Sequence, residues 1–283
     1  EIFPRGIEIS HFARNDRSAE KVMLIDAHCH LEDASFANDL DAVIARAEDA
    51  DVHAIITAGA DVASSHAAVA LAERYTTVYA VVGIHPHHAA SFNDQNFAAI
   101  HALAAHRKVV GIGEIGLDFH YADGAPRATQ ERNFNAHLDL AAELGKPVVI
   151  HNRDADAALM EILRRRGDGR VAPARRGLLH CFSGDLAMAR TAIDLGYLIS
   201  FAGSVTFKNA PRLHALGAAL PLESMVIETD APYLSPRRGK RNEPANVARV
   251  AAKIAELKKM KPSCVAQTTT DNCEALFNLG TSV

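Results

Sequence analysis

Tryptophan is absent from this chain, and aromatic residues make up only 6% of its 283 positions. An extended groove that stacks many bases of a single strand is therefore not expected. Basic excess is missing too: 30 Lys and Arg stand against 34 Asp and Glu, giving a formal net charge of −4 and a pI near 6.4. No global field draws the chain to nucleic acid or to an anionic membrane, so a polyanionic substrate would need a local basic patch or a bound cation. No apolar run approaches the roughly 18 residues of a membrane span. The four cysteines, Cys29, Cys181, Cys264 and Cys273, show no CxxC spacing. They read as reduced thiols of a cytosolic protein and not as a disulfide framework. Pro/Ser linkers, internal repeats and low-complexity tracts are lacking as well, so one domain is expected.

What is present is alternation. Short Val/Ile/Leu-rich runs recur at 22–28, 52–59, 78–85, 109–116, 147–152, 177–182, 196–203 and 225–230. Near-continuous apolar runs suit parallel strands covered on both faces. Between them lie Ala/Leu/Glu/Arg segments of helical period, several closed by glycine. Eight strand–helix units over about 250 residues predict a (β/α)8 TIM barrel. A doubly wound sheet would carry a glycine-rich phosphate loop after its first strand, and that position reads "HCHLED" instead. The barrel is expected to span 23–283. Residues 1–22 show neither the apolar core of a secretory signal nor a clear strand or helix, and are set apart as an extension.

In such a barrel the chemistry lies at the carboxyl ends of the strands. Those ends carry His28, His30, His85, Glu114, His151, His180 and Asp230. Side chains of a strand alternate with period two, so His28 and His30 point the same way and form one clamp. Four imidazoles and two carboxylates on five strand ends can hold two divalent cations, and a pair of ions about 3.5–4 Å apart activates water and stabilises a leaving oxygen. His53, His66, His101, His106, His137 and His214 lie in or beside helices or at strand starts, where an ordinary structural role is expected.

In order along the chain, "DAHCHL", "GIHPH", "GEIGLD", "PVVIHNRDA", "HCFSG", "GSVTFKN", "ETDAPYLSP" and "KRNEP" resemble the TatD-type metal-dependent deoxyribonucleases, within the amidohydrolase-like barrels. The resemblance runs from about Leu24 to the C-terminus. It implies that His28, His30 and Asp230 serve one metal, that His151 and His180 serve a second, and that Glu114 bridges both. Magnesium, manganese and zinc are the candidate ions. It implies a 3′-to-5′ exonuclease acting on single-stranded ends of DNA or RNA, with Asp230 as general base and with His85, more than His87, contacting substrate or assisting proton transfer. Asp26 and Glu228 share the parity of His28 and Asp230, and either orient an imidazole or are satisfied polar groups of a barrel layer.

Two basic clusters differ in place. "RRRGDGRVAPARR" (164–176) leads into the sixth strand and is expected on the face away from the metals. Arg238 and Lys240 follow the eighth strand, and Arg153 and Lys208 also follow strand ends, so these four are the expected phosphate contacts. Nucleic acid is then the substrate, with no membrane and no obligate protein partner. The alternatives are hydrolysis of a small ester, amide or phosphoester on the same barrel, or non-catalytic binding of metal or nucleic acid.

Overall fold

The computed structural model describes residues 23–166 and 176–279. Eight parallel strands follow one another around a single sheet: β1 (Leu24–Cys29), β2 (Val52–Ala58), β3 (Val78–Val82), β4 (Val109–Asp118), β5 (Val148–Arg153), β6 (Gly177–Leu179), β7 (Tyr197–Phe201) and β8 (Met225–Ile227). Interleaved with them are α1 (Leu40–Asp49), α2 (Val62–Arg74), α3 (Asp94–Ala104), α4 (Arg127–Leu144), α5 (Asp156–Arg166), α6 (Leu186–Asp194), α7 (Pro211–Ala219) and α8 (Val247–Lys258), followed by α9 (Pro262–Phe277). This is the (β/α)8 barrel. The helices start and stop where the sequence provides partners for their terminal backbone groups. Asp61 and Ser64 form a reciprocal capping box on α2, and Gly145 ends α4 in the left-handed region at φ 61°. No helix of the described residues is long and apolar enough to cross a membrane.

Two apolar layers divide the molecule. The larger packs helices onto the outside of the barrel. The smaller gathers Ala54, Ile56, Val81, Val149, Leu178 and Val226 from the strands with Cys273, Leu276 and Phe277 from α9, so the last helix plugs the end opposite the strand termini. Gly111 and Gly113 make room for this filling: a Cβ on Gly113 would lie 2.7 Å from the Val149 side chain.

The seam between β8 and β1 closes just beyond the strands. Asp230 donates its N–H to His28 O at 3.0 Å, and His30 donates to Ala231 O at 2.7 Å. Asp26 completes the closure by accepting from Thr229 N–H at 2.8 Å and from the Thr229 hydroxyl at 2.5 Å. Of its two expected roles, Asp26 therefore takes that of a satisfied polar group in the barrel.

Three strands that lead into site residues end earlier than the sequence runs suggest. β3 stops at Val82, β6 at Leu179 and β8 at Ile227, so His85, His180 and Asp230 sit on the first turns after the ladder. There the backbone departs from extended geometry, with positive φ at Cys181 (43°) and Asp230 (56°). Residues 1–22, and residues 167–175 of the first basic cluster, lie outside the described residues. The nearest described member of that cluster, Arg166, pairs with Asp139 of α4 at 2.6 Å.

His137 on α4 carries a stability prediction. It is fully buried beside Phe92 and Phe97, and its Nδ1–H donates to Asn133 O at 2.9 Å. Burial lowers its pKa from 6.5 to about 4. Between those values the unfolded chain binds a proton that the folded ring refuses, so stability is lost as pH falls from about 6.5 toward 4. The group's share between pH 7 and 5 is about 2 kcal/mol. Denaturant titrations at those two pH values should show His137→Leu losing about 2 kcal/mol less than the parent on acidification. An equal loss in both proteins would mean that His137 is not held neutral.

Candidate metal centre

Turning His28 and Glu114 inward takes a departure from strict alternation. Ile25 and Ala27 already belong to the inner layer, yet His28 follows Ala27 directly; the pairing of β1 with β2 shifts register between Asp26 and Cys29. In β4, Gly111 and Gly113 face the interior and Glu114 follows them inward, with a register shift against β5 between Ile112 and Ile115. Bulges of this kind re-aim a side chain and recur beside active sites.

Glu114, almost fully buried, stands at the centre of the cluster. Its Oε2 lies 3.4 Å from His28 Nε2 and 3.5 Å from His30 Nε2. Its Oε1 lies 2.9 Å from His151 Nδ1 and 2.8 Å from His180 Nε2. Asp230 Oδ1 lies 3.8 Å from His28 Nε2 and 3.7 Å from His30 Nε2, and ligand atoms of His28, His180 and Asp230 also lie within 4.8 Å of one another. One carboxylate thus offers each of its oxygens to a different pair of imidazoles.

The outer nitrogens decide what the inner ones present. His30 Nδ1 faces Ala58 O at 3.0 Å and Glu32 Oε1 at 3.2 Å, and Glu32 is itself held by the Thr57 hydroxyl at 2.8 Å. His151 Nε2 faces Asp118 Oδ2 at 3.0 Å, and His180 Nδ1 faces Glu228 Oε1 at 3.4 Å. His30 Nδ1 and His151 Nε2 must donate, because their partners only accept, while His180 Nδ1 faces Glu228 without a hydrogen bond. In the neutral rings of His30 and His151 the inner nitrogens are then bare lone pairs aimed at carboxylate oxygens, an arrangement that only a proton or a cation can hold together. Spacing agrees: ligands about 2.1 Å from one ion at tetrahedral angles lie about 3.4 Å apart, and His28 and His30 are separated by 3.3 Å, as are His151 and His180. The donor set fits divalent metal.

Without metal, protons take those positions. Burial opposes a charged His30, but its hydrogen bond to Glu32 and the charges of Glu32, Glu114 and Asp230 raise it to about 10. His180 and His151 are also raised against burial, by Glu114 and Glu228 and by Asp118 and Glu114 respectively. His28 goes the other way, to about 4, through burial and the charge of His180. Burial pushes Glu114 up, yet the charges of His180 and His85 hold it well below the carboxylate range. Asp230 is raised, chiefly by burial, to about 6.

His85 lies on the same rim with Nε2 3.2 Å from Glu114 Oε1. Its Nδ1 accepts the His87 N–H at 3.1 Å, which fixes the proton of the neutral ring on Nε2. It can complete a third donor group with Glu114 and His151 by distance alone, but that tautomer makes it a hydrogen-bond donor and not a ligand. His87 Nε2 contacts Asp118 Oδ2 at 2.8 Å, so Asp118 is shared between His87 and His151.

Asp118 and Glu32 were not among the residues singled out from sequence. Asp118 is nearly fully buried, and hydrogen bonds from His151, the His120 N–H and His87 outweigh burial and hold its pKa well below the usual range. Its signal was available: it lies four residues beyond Glu114 at the same strand parity. Glu228 accepts from Cys181 N–H at 2.7 Å and from the Ser200 hydroxyl while facing His180, so it is both a satisfied barrel group and the partner of an imidazole.

Of the expected phosphate contacts, Arg153 is exposed at the end of β5 and reaches the Tyr121 hydroxyl at 3.3 Å. Lys208, Arg238 and Lys240 are exposed on the loops after β7 and β8. None of these four cations shares a hydrogen bond or ion pair with the histidine cluster among the described contacts. Five of the histidines expected to be structural lie apart from it: His53 pairs with Glu274, His101 with Glu143, His106 with Glu73, His214 meets Val205 O, and His66 is exposed.

A (β/α)8 barrel that gathers histidines and carboxylates with converging lone pairs at its strand ends is the framework of a metal-dependent hydrolase. The chain belongs to the TatD family: the description "TatD related DNase" matches residues 25–278. It is 40% identical over 259 residues to the uncharacterized metal-dependent hydrolase YabD of Bacillus subtilis, covering 91% of this chain and 100% of that one. It is 36% identical to the 3′-5′ ssDNA/RNA exonuclease TatD of Citrobacter koseri, covering 90% of this chain and 99% of the relative. The crystal structure of YJJV, a TatD homolog of Escherichia coli K12, superposes with a TM-score of 0.85 at 33% identity, over 92% of this chain and 100% of that one.

Proposed function

We propose that this protein hydrolyses phosphodiester bonds at the 3′ ends of single-stranded DNA or RNA, using two divalent metal ions. The observation that carries the reading is Glu114, one carboxylate whose two oxygens face two separate imidazole pairs. His28, His30 and Asp230 would hold one ion, His151 and His180 the other, with Glu114 shared. When bound, divalent ions there lower the pKa of water and neutralise charge developing on the phosphoryl group.

The chain's own groups supply the rest. Asp230 accepts the proton of the attacking water at a carboxylate oxygen. His85, kept neutral by burial, donates from Nε2 to a phosphoryl oxygen. Asp118 and Glu32 hold His151 and His30 in the tautomer that leaves their inner nitrogens free, and Glu228 places negative charge behind His180. Arg153, Lys208, Arg238 and Lys240 place positive charge on the backbone beside the scissile phosphate. The 3′-to-5′ direction rests on likeness to the C. koseri 3′-5′ ssDNA/RNA exonuclease. The thiols of Cys29, Cys181 and Cys264 suit a reducing compartment, and the cytoplasm is the proposed location.

The test is cleavage of a short 5′-labelled single-stranded oligonucleotide by metal-stripped protein, with magnesium, manganese or zinc added back. A ladder shrinking from the 3′ end only after metal addition is the expected result. Two metals bound with no cleavage of DNA or RNA would move the substrate to small esters or amides.

Metal loading should also release protons, because ions displace those held by His30, His151 and His180. Calorimetric titration at pH 7 in two buffers of different ionisation enthalpy should give different apparent heats, and affinity should fall as pH is lowered. Identical heats in both buffers would show that the inner nitrogens carry no protons in the metal-free protein.

A further inference from the structure

Only four large apolar side chains stand exposed among the described residues: Met23, Tyr121, Tyr233 and Met260. Met23 precedes β1 and Met260 joins α8 to α9, both away from the strand ends. The two tyrosines are different, for both lie on the rim of the metal centre. Tyr233 is 55% exposed, and its ring centroid lies 6.0 Å from that of His30. Tyr121 is 49% exposed, and its centroid lies 5.2 Å from His87, which in turn neighbours His151. His30 faces one oxygen of Glu114 and His151 the other. The two open rings therefore stand on opposite sides of the bridging carboxylate.

Each ring is placed and not loose. Tyr233 N–H donates to Asp230 O at 2.8 Å, which ties its turn to a ligand residue. Tyr121 is braced by edge contacts with His87 and His120 and by the Arg153 guanidinium 5.2 Å from its ring. A positioned, half-open aromatic ring beside a phosphate site is the element that stacks a nucleobase, whatever the base.

We propose that Tyr121 and Tyr233 are stacking platforms for the two bases that flank the scissile phosphate, one on each side of Glu114. This rests on the nuclease reading above and adds to it. Two rings make a two-nucleotide footprint, consistent with a chain that has no long aromatic groove, and they explain how a weakly charged protein engages any sequence at a strand end. The Arg153 beside Tyr121 adds charge where the backbone leaves the ring.

The experiment uses metal-stripped full-length protein and oligonucleotides carrying 2-aminopurine at the terminal or the penultimate 3′ position, so that binding is read without cleavage. Stacking should quench each probe. Tyr233→Ala and Tyr121→Ala should each abolish quenching at one position and leave the other, while the corresponding Phe variants keep both. With metal restored, each Ala variant should lose about tenfold or more in kcat/KM on an intact strand. That loss should vanish on a substrate abasic at the matching position. Cleavage and quenching that survive both Ala substitutions would overturn this inference and leave the nuclease reading standing. Wild-type protein that neither binds nor cleaves the oligonucleotides would overturn both.

Discussion

Glu114→Ala is expected to lower metal-dependent hydrolysis by at least about a thousandfold and to leave a protein that no longer retains two metals together. The reason is geometric. Among the described residues, Glu114 is the one side chain within 3.5 Å of both imidazole pairs, through different oxygens. Its removal leaves His151 Nδ1 and His180 Nε2 facing each other at 3.3 Å without the carboxylate they share, and leaves His28 and His30 with Asp230 alone. Glu114→Gln separates charge from shape. The amide fills the same space but brings one donor toward a lone pair, so at least one of the two pairs should lose its metal. Elemental analysis of dialysed protein alongside the rate on a labelled oligonucleotide checks both variants. Two metals retained by Glu114→Ala with a rate within tenfold of the parent would rule out the shared carboxylate.

How much of this was written openly in the sequence differs from element to element. The barrel was, because eight buried runs separated by helical segments admit few other topologies, and "HCHLED" where a phosphate loop would stand removed the main competitor. The histidines and carboxylates of the cluster were also readable, since strand-end position alone singled them out. What period-two reasoning could not show is which way those strand ends face. His28 and His30 do share a direction, but they point inward because β1 shifts register after Asp26, and Glu114 does so because β4 shifts after Ile112. Register shifts arise from pairing between neighbouring strands and leave no local mark on composition. Asp26 shows the same limit. Its parity with His28 left an orienting role open, whereas packing across the seam spends both of its oxygens on Thr229. Asp118 and Glu32 were passed over for the converse reason: nothing in the run of residues shows that a carboxylate's partner is the back of an imidazole from another strand or from two positions away.

Asp230→Asn should reduce turnover by about 10²–10⁴-fold while leaving the fold intact, and its pattern differs from that of Glu114→Ala. Asp230 stands at positive φ, 56°, a conformation that asparagine tolerates as readily as aspartate, so the turn that closes the β8–β1 seam survives the change. The backbone N–H that donates to His28 O is untouched. What disappears is an oxygen able to take a proton, in a group whose pKa burial has set near 6. His151 and His180 keep Glu114 Oε1 at 2.9 and 2.8 Å, so metal on that side should be retained. Substrate affinity, governed by the rim cations and rings, should change little, so the loss should fall on kcat and not on KM. The acidic limb of the kcat–pH profile is the sharper readout. If Asp230 is the base, the limb present in the parent should disappear from the residual activity of the asparagine variant. A residual rate that keeps the parent's limb would assign it to another group, and His85, whose Nε2 proton faces Glu114, would be the next residue to replace.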